Sequence, residues 1–133
     1  IQNQIIAGET NSAVTLFIMN EDMDAGDVIA QEEISLEGYL DEVFAQITEV
    51  GLRLTVDILK NGYSRTPQDH SQATYYKRRN PEESEITPEE LTNSSARYLY
   101  NKIRMLDDPY PNAFIRTADG LRLLIKKSEI SQA

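Results

Sequence analysis

Between residues 39 and 61, Leu40, Val43, Phe44, Ile47, Leu54 and Ile58 recur at three- and four-residue steps, with Gly51 filling the remaining step of the stripe. A repeat near 3.6 residues places these positions on one face of a helix, so the spacing predicts a single long amphipathic helix over 39–61 whose apolar side needs a cover. Gly62, just past its end, supplies the left-handed terminator such helices use. Two strands are expected ahead of it. Residues 12–19, SAVTLFIM, are apolar and β-branched and hardly alternate from Val14 to Met19, which predicts a strand covered on both faces in the buried sheet of an α/β domain. Residues 28–36 follow as the second strand, after Asp24-Ala25-Gly26-Asp27, whose Gly and Asp suit a sharp bend.

Beyond the helix, residues 63–72 (YSRTPQDHSQ) lack periodicity and mark a linker, so the domain boundary is placed there, with residues 1–62 on one side and residues 63–133 on the other. Residues 73–76 are expected as a short strand and residues 77–84 (KRRNPEES) as a solvated loop. Thr87-Pro88-Glu89-Glu90 matches a capping box with proline at the first helical position, and Leu91, Tyr98, Leu99, Ile103 and Leu106 continue a helical stripe with an interruption expected at Asn93-Ser94. Asp107-Asp108-Pro109 is expected to end it. Residues 113–116 and 121–126 read as a β-hairpin in which Asp119-Gly120 favours a primed turn.

Composition narrows the function classes. The chain has 133 residues, 40% of them hydrophobic, enough for one real core, and no apolar run long enough to span a bilayer. It has no cysteine, which excludes disulfides, thiolate nucleophiles and cysteine metal sites and fits a cytoplasmic protein. The net charge of -9 is uneven: residues 1–62 carry two basic and twelve acidic side chains, a balance of -10, and residues 63–133 carry eleven basic and ten acidic, a balance of +1. A nucleic-acid backbone would be repelled by the first part, so nonspecific nucleic-acid binding is disfavoured, while the basic cluster suits one small anionic ligand. The chain opens on Ile1, with no basic segment followed by an apolar one, and the expectation is a truncated or processed chain rather than a natural start or a signal peptide. Asp24 and Asp27, two acids without further ligands at fixed spacing, do not make a metal site.

Three stretches together resemble the formyl-tetrahydrofolate-dependent formyltransferase family. The opening IQNQIIAGETNSAVTLFIMNEDMDAGDVIAQ is similar to the family segment after its catalytic histidine loop, with Gly-Glu, Val-Thr and Asp-x-Gly-Asp landmarks at family spacing. ATYYKRRNPEES and NKIRMLDDPYPNAF resemble the linker and the start of the carboxyl-terminal domain in enzymes that formylate amino sugars on nucleotide carriers. The resemblance implies an α/β fold: the carboxyl-side strands and long helix of a Rossmann-like formyltransferase domain, then a small α+β, OB-like carboxyl-terminal domain. It implies attack by an amine on the formyl carbon of formyl-tetrahydrofolate, with an Asn, a His and an Asp handling charge and protons. Asp24, first acid of DAGD, matches the Asp, whose carboxylate would raise the pKa of the paired imidazole toward the working range. The residues Asn20, Glu21, Asp22, Met23 and Asp24 would contact the pterin of the folate. The family's Asn-x-His and Ser-Leu-Leu-Pro stretches are not matched in residues 1–133 and are expected upstream of Ile1, so residues 1–133 alone are expected to be inactive.

The acceptor implied is a nucleotide-linked amino sugar, with Tyr75, Arg78, Arg79 and Arg104 as substrate-binding residues. Methionyl-tRNA is the alternative acceptor, and a non-catalytic homodimerisation or acceptor-binding module, built on the long helix and terminal hairpin, is the alternative from another class. Plainer readings stand beside these. Asp24 and Asp27 also serve as turn residues; Lys77, Arg78 and Arg79 also pair with Glu82, Glu83 and Glu85 at a surface; the tyrosines also pack a core margin; and His70, the only histidine, reads as a solvated linker residue.

Overall fold

The structure, a computed structural model, describes residues 1–132. The described chain divides into two compact units: residues 11–37 with residues 41–76, and residues 77–132 with residues 1–10 and 38–40.

In the first unit, strand β1 (Asn11–Phe17) pairs antiparallel with β2 (Val28–Ser35), from Asn11 opposite Ser35 to Phe17 opposite Val28, with a register shift between Leu16 and Phe17. The covered, buried strand expected over 12–19 is corrected here. Residues 12–18 are only half-buried and Met19 is exposed, because among the described residues the sheet has only two strands. Helix α2 (Leu40–Asn61) follows. Its predicted stripe holds: Leu40 and Val43 are buried and Phe44, Ile47, Leu54 and Ile58 are half-buried. At Gly51 a Cβ would lie 3.9 Å from Val14 Cγ1, an ordinary van der Waals contact, so this step of the stripe faces β1. Gly62, at φ +77°, ends the helix, its N–H donating to the Ile58 carbonyl at 2.9 Å.

In the second unit, helix α1 (Gln2–Ile6) contributes the buried Ile5. The loop expected over 77–84 contains a 3-10 turn (Pro81–Ser84) with its own capping box: the Asn80 side chain accepts from the Glu83 N–H at 3.2 Å and the Glu83 carboxylate accepts from the Asn80 N–H at 2.7 Å. The interruption expected at Asn93-Ser94 falls at Ser94 and Ser95, which are extended and separate helices α3 (Pro88–Asn93) and α4 (Ala96–Arg104), the Ser95 hydroxyl accepting from the Tyr98 N–H to cap the second. Strands β3 (Ala113–Arg116) and β4 (Arg122–Ile125) form the hairpin. Its turn is not a two-residue primed turn. Five residues separate the paired Arg116 and Arg122, the Thr117 carbonyl accepts from the Gly120 N–H at 2.9 Å, and Gly120 but not Asp119 takes positive φ, so the Asp-Gly pair closes a longer loop. Residues 73–76 carry no strand among the described residues.

Ile86, Ile103, Leu106 and Ala113, with Leu99, Ile115 and Ile125 against them, form the core of this unit. Glu82 bridges the two opposed arginines, accepting from Arg116 at 2.6 Å and Arg122 at 2.7 Å, while Glu85 accepts from Arg116 at 2.9 Å. Two cations face each other across a strand pair and would repel, so these carboxylates offset a charge clash.

Candidate functional site

The bend between β1 and β2 is built by close approach. Gly26 is buried, and a Cβ on it would lie 1.6 Å from the Ile18 carbonyl oxygen, so only glycine passes there. The Ile18 N–H donates to the Asp27 carbonyl at 2.9 Å, closing the bend. Asp24 sits at φ +55°, the left-handed region that Asp and Asn tolerate better than other side chains. Its side chain is therefore presented at the head of the bend rather than along the strand.

The segment expected to be a linker is folded onto that bend. Val28 and Thr66 exchange N–H to carbonyl bonds at 2.9 Å each, and the Gln68 amide donates to the carbonyls of Asp24 at 2.9 Å and Gly26 at 2.7 Å. Asp69 then caps a 3-10 turn (His70–Gln72): its carboxylate accepts from the Ser71 N–H at 3.0 Å, the Ser71 hydroxyl at 2.6 Å and the Gln72 amide at 2.8 Å. The Ser71 hydroxyl bond first, then the Gln72 bond, holds the Asp69 carboxyl below its ordinary pKa.

Together these residues line a cavity of about 560 Å³, whose walls include Met23, Asp24, Gln68, His70, Tyr75 and Tyr76. This is the size range of small-molecule sites. Three residues singled out from sequence, Met23, Asp24 and Tyr75, meet here. Asn20, Glu21 and Asp22 are exposed at the tip of the same loop, where the Asn20 side chain accepts from the Asp22 N–H at 3.1 Å, and do not line the cavity. His70 is solvated, as its linker position suggested, yet shares the cavity with Asp24. Gln68 was not visible as a site residue in the sequence, because a side chain bonding to backbone 42 and 44 residues away leaves no local pattern.

Arg78 and Arg79 line a separate cavity of about 400 Å³ in the second unit, with Asn80, Ser84 and Tyr110 among its walls and no carboxylate. The neighbouring acids do not neutralise them. Glu82 and Glu85 are taken by the hairpin arginines, and Arg79 donates to the Glu83 main-chain carbonyl at 2.6 Å instead of to a carboxylate. The Arg79 Nε is buried with no hydrogen-bond partner among the described residues. Arg104 lies elsewhere, 3% exposed; it donates to the Asn101 side chain at 2.9 Å and to the Gly38 carbonyl, and stacks on Tyr100. Tyr98 is half-buried, donating to Glu90, and Tyr110 is exposed.

Among the described residues no group of three or more His, Asp or Glu side chains is placed to hold a metal ion. No helix among them is long and apolar enough to cross a membrane.

Residues 81–132 match the family profile described as methionyl-tRNA formyltransferase, C-terminal domain. The whole chain is similar to a methionyl-tRNA formyltransferase of Sulfurimonas denitrificans, 32% identical over 98% of this chain and 41% of the relative. Its fold superposes on a methionyl-tRNA formyltransferase from Clostridium thermocellum with a TM-score of 0.86 at 27% identity, covering 98% of this chain and 56% of that one. A 4-N formyltransferase from Francisella tularensis gives a TM-score of 0.68 at 22% identity over 99% of this chain and 56% of that one, a likeness of fold alone. The chain thus spans about two fifths of the length of the curated relatives it matches.

Proposed function

This chain belongs to the formyltransferase family, and we propose that it contributes Asp24 and the surrounding cavity to folate-dependent transfer of a formyl group onto the amine of methionyl-tRNA. The observation that carries the catalytic part is the placement of Asp24: a carboxylate presented by a left-handed bend at the wall of an open cavity. In the reaction an amine forms a new N–C bond to the formyl carbon as the folate N–C bond breaks. The amine must lose a proton and the folate nitrogen must gain one. An anionic Asp24 favours the protonated form of a base beside it, which lets that base accept the first proton and deliver the second. Formyl-tetrahydrofolate supplies the electrophilic formyl carbon. The cavity volume suits a flat heterocycle, with Met23 and Asp24 of the 20–24 loop at its wall.

On this reading residues 1–62 belong to the catalytic domain and residues 63–133 form the linker and carboxyl-terminal domain; the profile match over residues 81–132 supports the latter, while residues 1–10 and 38–40 group with it and residues 63–76 with the first unit. Tyr75, exposed at the mouth of the cavity, offers a stacking face to the acceptor. Arg78 and Arg79 line a cavity without acids and suit acceptor phosphate, Arg78 the more so because Arg79 also lines a neighbouring cavity with Glu82, Glu83, Glu85 and Glu90. Arg104, 3% exposed and bonded to Asn101 and the Gly38 carbonyl, lines neither cavity.

The nucleotide-linked amino sugar expected from the linker sequence gives way here to tRNA, because curated relatives at 30 to 36% identity are methionyl-tRNA formyltransferases. The 4-N formyltransferase neighbour is alike in fold alone. The test is a formylation assay on the complete protein that carries this chain, with methionyl-tRNA and a nucleotide-linked amino sugar offered separately. Turnover with tRNA is expected, and Asp24→Asn should lower kcat roughly a hundredfold. Turnover confined to the sugar would overturn the acceptor, and a fully active Asp24→Asn the catalytic role. Arg78→Ala should raise KM for tRNA severalfold and flatten its salt dependence by about one phosphate contact.

A further inference from the structure

We propose that Gln68 is a positioning residue for Asp24, acting through the main chain of the bend that carries it; this rests on the catalytic reading of Asp24 given above. The Gln68 Nε2 donates to two carbonyls, those of Asp24 at 2.9 Å and Gly26 at 2.7 Å. These flank Ala25 and belong to the two residues that make the bend unusual, the aspartate at positive φ and the glycine that passes the Ile18 carbonyl. A primary amide has two N–H groups in a fixed fork, so one side chain can hold both carbonyls in one relative orientation. The rotation of the Asp24 peptide sets where its carboxylate points, which makes this clamp a control on the angle of the catalytic group.

The clamp is itself anchored on both sides. Upstream, the paired Val28 and Thr66 main chains fix where the segment enters. Downstream, Asp69 is locked by its three bonds to Ser71 and Gln72. Gln68 is half-buried, unlike its exposed neighbours Pro67 and Asp69, so its amide has settled on protein acceptors in preference to water. An apolar side chain of the same length would keep the packing and lose both donors.

The experiment is a double-mutant cycle on the complete protein that carries this chain, with kcat and KM for formyl-tetrahydrofolate measured for wild type, Asp24→Asn, Gln68→Met and the double variant. Gln68→Met should lower kcat roughly ten- to a hundredfold, the scale of two hydrogen bonds, with KM changed less than threefold. In the Asp24→Asn background it should have no further effect on kcat, because a residue acting only through Asp24 has nothing left to position. Equal losses in both backgrounds would overturn the inference, as would a wild-type kcat for Gln68→Met. If Asp24→Asn is itself fully active, the catalytic reading fails instead, and the two failures are told apart. Gln68→Glu, which keeps the shape and turns an acceptor toward the two carbonyls, provides a second variant should the methionine form fold poorly. It should be impaired at least as much as Gln68→Met, and wild-type turnover from it would overturn the inference.

Discussion

Gly26→Ala is expected to be the most damaging single change in the first unit, costing about 4 kcal/mol of stability. The added methyl carbon would sit 1.6 Å from the Ile18 carbonyl oxygen and 2.8 Å from its carbon, both main-chain atoms that cannot swing aside. Relief requires moving either β1 or the bend, which breaks the Ile18 to Asp27 hydrogen bond and pulls the Gly26 carbonyl from the Gln68 amide. The damage should therefore be structural and functional together. Chemical denaturation of wild type and variant provides the measurement. A midpoint within the error of wild type would mean that the close approach is not a feature of the protein.

The second large effect is expected at Lys102, on α4, whose side chain is 5% exposed. Its ammonium donates to the Glu90 carboxylate oxygens at 2.7 and 2.9 Å and to the Glu85 carbonyl. The same carboxylate accepts from the Thr87 N–H at 3.1 Å and the Tyr98 hydroxyl at 3.2 Å, so it joins the start of α3 to the face of α4. Lys102→Met keeps the aliphatic stem and removes the charge, leaving Glu90 without its cation. A broken buried pair costs about 3–5 kcal/mol, and the low end, about 3 kcal/mol, is expected because Glu90 keeps 24% of its side chain exposed and can rehydrate.

The pair also imposes a pH dependence of known sign. Burial alone would raise the Glu90 pKa, but the Lys102 bond, then the Thr87 and Tyr98 bonds, outweigh it and hold the carboxyl below its ordinary value of 4.5. A folded pKa below the unfolded one means that Glu90 contributes stability that is full above about pH 4.5 and is lost as pH falls through the lowered folded value. Thermal melts between pH 7 and pH 3 should show this loss in the wild type and a shallower one in Lys102→Met. Equal slopes would remove Glu90 from the acid-sensitive groups.

Much of the local structure was legible because it depends on neighbours along the chain. The α2 stripe, its Gly62 stop, the Thr87 to Glu90 capping box and the hairpin at residues 113–126 all express spacings of two to four residues. The Asp24 bend was legible for the same reason, down to its need for glycine. The misreadings came where pattern and environment part. The strand at residues 12–19 looked buried because its residues are apolar, but exposure depends on how many strands lie beside it. The loop at residues 77–84 looked unstructured because its capping box opens a 3-10 turn of only four residues, too short to show a period.

What the sequence alone determined is the place of the bend and its acids: Asp-x-Gly-Asp after an apolar strand suits a sharp turn, because Asp and Gly tolerate the conformations a turn needs. What only the tertiary structure decided is the company Asp24 keeps. Gln68 clamps its backbone, His70 and Tyr75 share its cavity, and the acids near Arg78 and Arg79 turn instead to the hairpin arginines. The physical reason is that hydrogen bonds and ion pairs between residues 31 to 44 positions apart carry no period along the chain. They exist only once the backbone has brought donor and acceptor within about 3 Å.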